Sequence, residues 1–178
     1  MTEEKTLATE VIFEGRVVRL RIDTIETIDG RQSTREIIEH DDCITVIPVD
    51  ENGDILLVKQ FRRPTGKDLL EIPAGGIDPG EDAETAVIRE MQEETGYRPQ
   101  KLERLGGFYS SPGFCTEYLH LYLATDLVPG RLYAEDTEAI ELVRMPPDDI
   151  IKLITSGKIE DAKTIAGLLY YLEYCRNA

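Results

Sequence analysis

The segment Asp82 to Thr95, DAETAVIREMQEET, puts carboxylates on the side where a helix keeps its apolar residues. Asp82 is suited to cap the helix start, and Gly96 to end it in a left-handed turn. With about 100° between residues and Ala83 as origin, Ala86, Val87 and Met91 fall at about 300°, 40° and 80°. Glu90, Glu94 and Glu93 fall at about 340°, 20° and 280°, on the continuation of that apolar stripe. Arg89, four residues before Glu93, can pair with it along the helix surface. Gln92, at about 180°, is left for solvent. Solvated, salt-bridged acids should avoid the apolar stripe, and these do not. Three carboxylates at a core-facing helix end repel one another and lose hydration unless a cation binds them. One arginine cannot neutralise three. Oxygen ligands with few nitrogen or sulfur alternatives suit a hard divalent ion, magnesium or manganese.

A helix of this kind needs a sheet to lie on, and the flanking sequence supplies strands. TEVIFEG, VVRLRIDTI and STREIIEH alternate or run on as β-formers, with Asp29-Gly30 a turn between the last two. CITVIPVD and DILLVKQF flank Glu51-Asn52-Gly53 and read as a second hairpin, apolar enough to be central. Strand patterns return at LERLGGFYS, EYLHLYLATDL and IELVRM; PPDDIIKLITSG and DAKTIAGLLYYLEYC are helical. Without regular βαβ alternation, this order predicts an α+β layered fold on a mixed or antiparallel sheet.

The 178 residues suit one domain of ordinary size, and a net charge of −15 argues against nucleic acid or an anionic membrane as partner. A small anionic ligand remains open, provided cations or local arginines meet its phosphates. Cys43, Cys115 and Cys175 lie far apart with no CxxC pair, which suits a reducing compartment. The start carries no secretory pattern and no apolar run is long enough to span a membrane, so a cytoplasmic location is expected.

The acidic helix and the loop before it resemble the box of the Nudix hydrolases, G-x5-E-x7-R-E-U-x-E-E-x-G-U, with U a bulky apolar residue. Gly75, Glu81, Arg89, Glu90, Met91, Glu93, Glu94 and Gly96 match at the required spacings, and Tyr97 stands where an aliphatic residue is more usual. EIPAG before the box, SPGFCTE after it and DAKT in the last helix look like the ADP-ribose pyrophosphatase branch. Pro112, 16 positions beyond Gly96, is that branch's marker proline, and REIIEH looks like the end of its N-terminal strands. The likeness spans residues 12–172.

The resemblance implies an α/β/α sandwich around a mixed sheet (residues 41–178), with a small N-terminal antiparallel β subdomain (residues 1–40) exchanged within a homodimer. It implies magnesium-dependent hydrolysis of the pyrophosphate bond of ADP-ribose to AMP and ribose 5-phosphate. Manganese is the substitute ion, with two or more ions per active site. Another nucleoside diphosphate sugar or dinucleotide (GDP-mannose, FAD, NADH) is the alternative substrate, and a non-catalytic nucleotide sensor is the rival role.

Carried over by position, Glu90 and Glu94 are the principal metal ligands, completed by the main-chain carbonyl of Ala74. Glu93 orients the helix through Arg89 and shares a second metal. Glu81 either reaches a metal or its waters, or favours the helix N-terminus as a carboxylate. The general base falls in EDTEAIE, with Glu138 first and Asp136 second. Arg62 matches a phosphate-binding position, although its neighbour Arg63 carries the same charge. Glu117 matches an acid supporting substrate and metal water, and its other reading is an exposed strand start. Arg16, Val17 and Glu36 fall where the partner's N-terminal strands hold the adenosine end.

Overall fold

The computed structural model describes residues 4–134 and 139–177, which divide into two units. The first, residues 4–42 with Tyr109–Tyr118, is built on an antiparallel sheet of β1 (Lys5–Glu14), β2 (Arg19–Glu26) and β3 (Gln32–Glu39), in the order β1-β2-β3. Asp23, nearly buried on the middle strand, accepts two bonds from Arg21 and one from Thr9. β1 is exposed along its whole length.

The second unit, Cys43–Phe108 with the described residues from Leu119 on, carries two sheets. One is antiparallel, with β5 (Ile55–Arg62) between β10 (Glu141–Met145) and β6 (Lys67–Glu71). The other is mixed, in the order β7-β4-β9-β8, where β4 (Cys43–Pro48) runs antiparallel to β7 (Ala74–Gly76) and parallel to β9 (Tyr118–Pro129). β8 (Tyr97–Tyr109) forms its edge.

Strand periodicity then decides what lies on each face. Ile44, Val46, Tyr122 and Ala124 pack on Ala86, Val87 and Met91 of helix α1 (Ala83–Glu94). Ile47, Leu121 and Leu123 pack with Ile55, Leu57 and Met145, with Ile150 of α2 (Ile150–Thr155), and with Leu168 and Tyr171 of α3 (Ala162–Asn177). The α/β/α layering expected of the chain is present. Fully burying Val87 or Met91 is worth about 1.5–3 kcal/mol each, which seats α1 against the mixed sheet.

The hairpin expected over Glu51–Gly53 is only a turn. β4 and β5 enter different sheets, and only an isolated bridge between Val49, just beyond β4, and Ile55 links the two arms. β4 is buried throughout and β5 over its first half. Each is an inner strand of its own sheet, flanked by a partner on both sides.

Candidate active site

Asp82 caps α1 by accepting the Thr85 N–H at 3.0 Å, and Gly96 leaves the helix at φ +79°. Between these ends the helix lies against β4 and β7, with Glu90 and Glu94 directed at the β7 backbone. Ala74 N–H donates to Glu94 Oε2 at 3.2 Å. A Cβ on Gly75 would lie 2.0 Å from both Cδ and Oε1 of Glu90, so the carboxylate occupies space that only glycine leaves.

Arg89 fixes this arrangement. It donates to both oxygens of Glu81 at 3.0 and 2.8 Å, to Glu90 Oε1 at 2.6 Å and to the Gly76 carbonyl at 2.9 Å. Glu93, its expected helical partner, forms the i,i+4 ion pair with it at 3.6 Å. The shorter bonds go to Glu81, which offers a two-point fork from the preceding loop. Glu81 also accepts the Asp78 N–H, so its first task is to bind the loop to the helix. Gln92 is half-buried and donates to the Gly130 carbonyl, not to solvent as the helical wheel suggests.

The electrostatics match the crowding. The Arg89 fork holds Glu81 below the usual carboxylate range. Burial, with the charges of Glu93 and Glu81, raises Glu90 despite Arg89. Burial and the Glu90 charge push Glu94 up to about 8. A carboxylate with a raised folded-state pKa costs stability as soon as the same group ionises in the unfolded chain. That cost is absent below the ordinary value of 4.5, grows as pH rises above it and levels off beyond about 8, where the folded carboxylate is ionised as well. Metal-free protein is therefore expected to melt several degrees lower at pH 8.5 than at pH 5.5, while magnesium restores stability chiefly at the higher pH. Thermal melts at both pH values, with and without the ion, measure this.

A second charged group faces the same carboxylate. Glu71, 1% exposed at the end of β6, accepts a two-point fork from Arg62 at 2.7 and 2.8 Å and a further bond from Lys163. Lys163 donates onward to Asp161 at 2.9 Å. Asp161 accepts both the N–H and the hydroxyl of Thr164, whose hydroxyl in turn accepts the Ile72 N–H at 3.0 Å. Burial alone would raise Glu71, but Arg62 and Lys163 outweigh it and hold its carboxyl below the usual range. Both cations lower Glu94 through space. Sequence reasoning singled out EIPAG and DAKT but gave Glu71 and Lys163 no task, because 92 residues separate the two.

Arg16, Val17, Glu36 and Glu117 belong to the first unit. Arg16, Val17 and Glu36 are exposed; Glu117 is half-buried, with His40 Nδ1 at 3.9 Å. Glu138 and Asp136 lie outside the described residues.

The model of the NUDIX domain family matches residues 39–168. The chain belongs to the Nudix family. Among its relatives, an ADP-ribose pyrophosphatase of Bacillus subtilis (strain 168) is 39% identical, the alignment covering 94% of this chain and 92% of that protein. A methanol dehydrogenase activator of Bacillus methanolicus shows the same identity and coverage. A solved structure of an ADP compounds hydrolase, 21% identical, superposes with a TM-score of 0.91 over 99% of this chain and 96% of its own, and shares the fold.

The Nudix box acids fit a hard divalent ion. The carboxylates gathered on the β7 backbone offer only oxygen donors, and Gly75 keeps the space at Glu90 open. Arg89 supplies one positive charge within hydrogen-bonding reach of Glu81 and Glu90. No helix among the described residues is long and apolar enough to cross a membrane.

Proposed function

We propose that the chain hydrolyses the pyrophosphate bond of ADP-ribose to AMP and ribose 5-phosphate in a magnesium-dependent reaction, with manganese as substitute ion. The observation that carries this reading is the seating of Glu90 and Glu94 on the Ala74–Gly76 backbone, with Arg89 bracing Glu81 and Glu90. Glu90, Glu94 and the Ala74 carbonyl would hold the first ion, and Glu93 would share a second; Glu81, which braces Arg89, would reach an ion or its waters. Bound magnesium would neutralise phosphate charge and acidify a water. The residues of the chain do the remaining work. Arg62 meets phosphate oxygens, Glu138 (or Asp136) takes the proton of the attacking water, and one bridging P–O bond breaks as the new one forms.

The adenosine end is held by Arg16, Val17 and Glu36 of a partner subunit, with Glu117 supporting the substrate. The chain then works as a homodimer in which the N-terminal β subdomain (residues 1–40) is exchanged and residues 41–178 form the hydrolase domain. Support comes from β1, which exposes Leu7, Val11, Ile12 and Phe13, with Phe13 56% exposed. An apolar strand open to water favours a covering partner. Cys43, Cys115 and Cys175 form no disulfide with one another, in agreement with a cytoplasmic setting.

The test is a hydrolysis panel with magnesium: ADP-ribose, GDP-mannose, UDP-glucose, NADH, FAD and diadenosine polyphosphates, read by released phosphomonoester. ADP-ribose is expected to exceed the others by at least about tenfold in kcat/KM, a transition-state preference of about 1.4 kcal/mol. A different favourite would keep the chemistry and replace the substrate. No turnover of any compound with magnesium or manganese would favour a nucleotide sensor instead.

A further inference from the structure

Glu71 is the least exposed of the acidic residues buried in the second unit, and the hydrolytic reading gives it no task. Its two oxygens are filled by the Nε and Nη2 of Arg62 and by Lys163. The fork uses one edge of the Arg62 guanidinium. Among the described residues the remaining nitrogen, Nη1, bonds to no protein acceptor, and the Arg62 side chain is 39% exposed. A guanidinium gripped along one edge can turn about neither Nε nor its long axis, so the direction of the free edge is set by the carboxylate that grips it.

Glu71 is itself fixed from two directions. It ends β6, and Lys163 binds it from the first turn of α3, where Asp161 and Thr164 tie that turn to Ile72. Glu71 stands three residues before Ala74, whose N–H donates to Glu94 Oε2 at 3.2 Å, so this assembly borders the box carboxylates.

We propose that Glu71 is a positioning residue for phosphate recognition. Backed by Lys163, it holds Arg62 so that the free guanidinium edge is presented to a phosphate oxygen of the substrate. The inference rests on the hydrolytic reading above and adds to it a dependence on two residues outside the box. Its logic is directional: Glu71 acts on substrate through Arg62 and by no other route. Removing the Glu71 charge should weaken substrate binding only while Arg62 is present.

The experiment is a double-mutant cycle on Arg62→Ala and Glu71→Gln, measuring kcat and KM separately for the best substrate of the panel. Wild-type turnover in the same series reports on the hydrolytic reading; the cycle reports on the positioning role alone. Glu71→Gln is expected to raise KM by about tenfold, as for one charge-assisted hydrogen bond lost, with kcat changed by less than about threefold. In the Arg62→Ala background the same substitution should change KM by less than about twofold. If Glu71→Gln fails to fold, Glu71→Gln with Lys163→Met removes one charge of each sign from the buried cluster and is read in the same cycle. An unchanged KM in either form overturns the proposal. So does a KM effect that persists in full without Arg62, because that marks general damage to the packing and not the orientation of a guanidinium.

Discussion

Glu94→Gln is expected to lower turnover by at least about a hundredfold while the fold survives, since altering even an outer partner of a metal site costs about 10–100-fold. The side chain keeps its length and can still accept the Ala74 N–H, but it loses the charge that a divalent ion needs. Stability should move the other way. Burial and the Glu90 charge oppose ionisation of Glu94, so a neutral amide removes a standing cost from the metal-free protein at neutral pH. Two measurements follow: steady-state turnover, and thermal melts at pH 8 with and without magnesium. The variant should melt no lower than the metal-free parent, and magnesium should stabilise it less. Parental turnover would remove Glu94 from the metal site.

Gly75→Ala should be nearly as damaging, although it touches no charge. The new methyl would sit 2.0 Å from the Glu90 carboxylate carbon, a distance that real contacts do not reach. Either Glu90 swings away or β7 shifts from β4, to which Gly75 is paired opposite Ile44. A displacement of about 1 Å in a catalytic constellation is worth about a hundredfold in rate. Gly76→Ala provides the comparison, since a Cβ there meets nothing within 4 Å. It should keep most of the parental turnover. Equal losses in both variants would mean that any side chain in this strand is harmful, and that the space at Glu90 is not what matters.

The two residues also mark how far the chain is legible without coordinates. Glu94 is readable because helical periodicity is local: 3.6 residues per turn places it beside Val87 and Met91 whatever surrounds the helix. Gly75 is recognisable in the box pattern, yet its reason for being glycine depends on Glu90, 15 positions later, reaching back over β7. Arg89 shows the limit within a single helix. Its spacing to Glu93 foretells the ion pair that forms at 3.6 Å, but not the hydrogen bonds to Glu81 and the Gly76 carbonyl, which come from outside the helix. Gln92 differs from its expectation, since a wheel shows which side a residue takes and not that the 130–132 segment lies across it.

By itself, then, the sequence determined the helix with its caps, the carboxylates on its apolar side, the strand segments and the membership of a family. All of these rest on local periodicity, turn chemistry and a spaced motif. Tertiary structure alone decided that β4 and β5 part into different sheets, because the strands that flank each of them, β7 and β9 for β4 and β10 and β6 for β5, come from later in the chain. It alone joined Arg62, Glu71 and Lys163, whose charges are brought together from β5, β6 and α3. A buried ion pair is specified by two distant residues desolvated together, and no periodicity along the chain records that the two will meet.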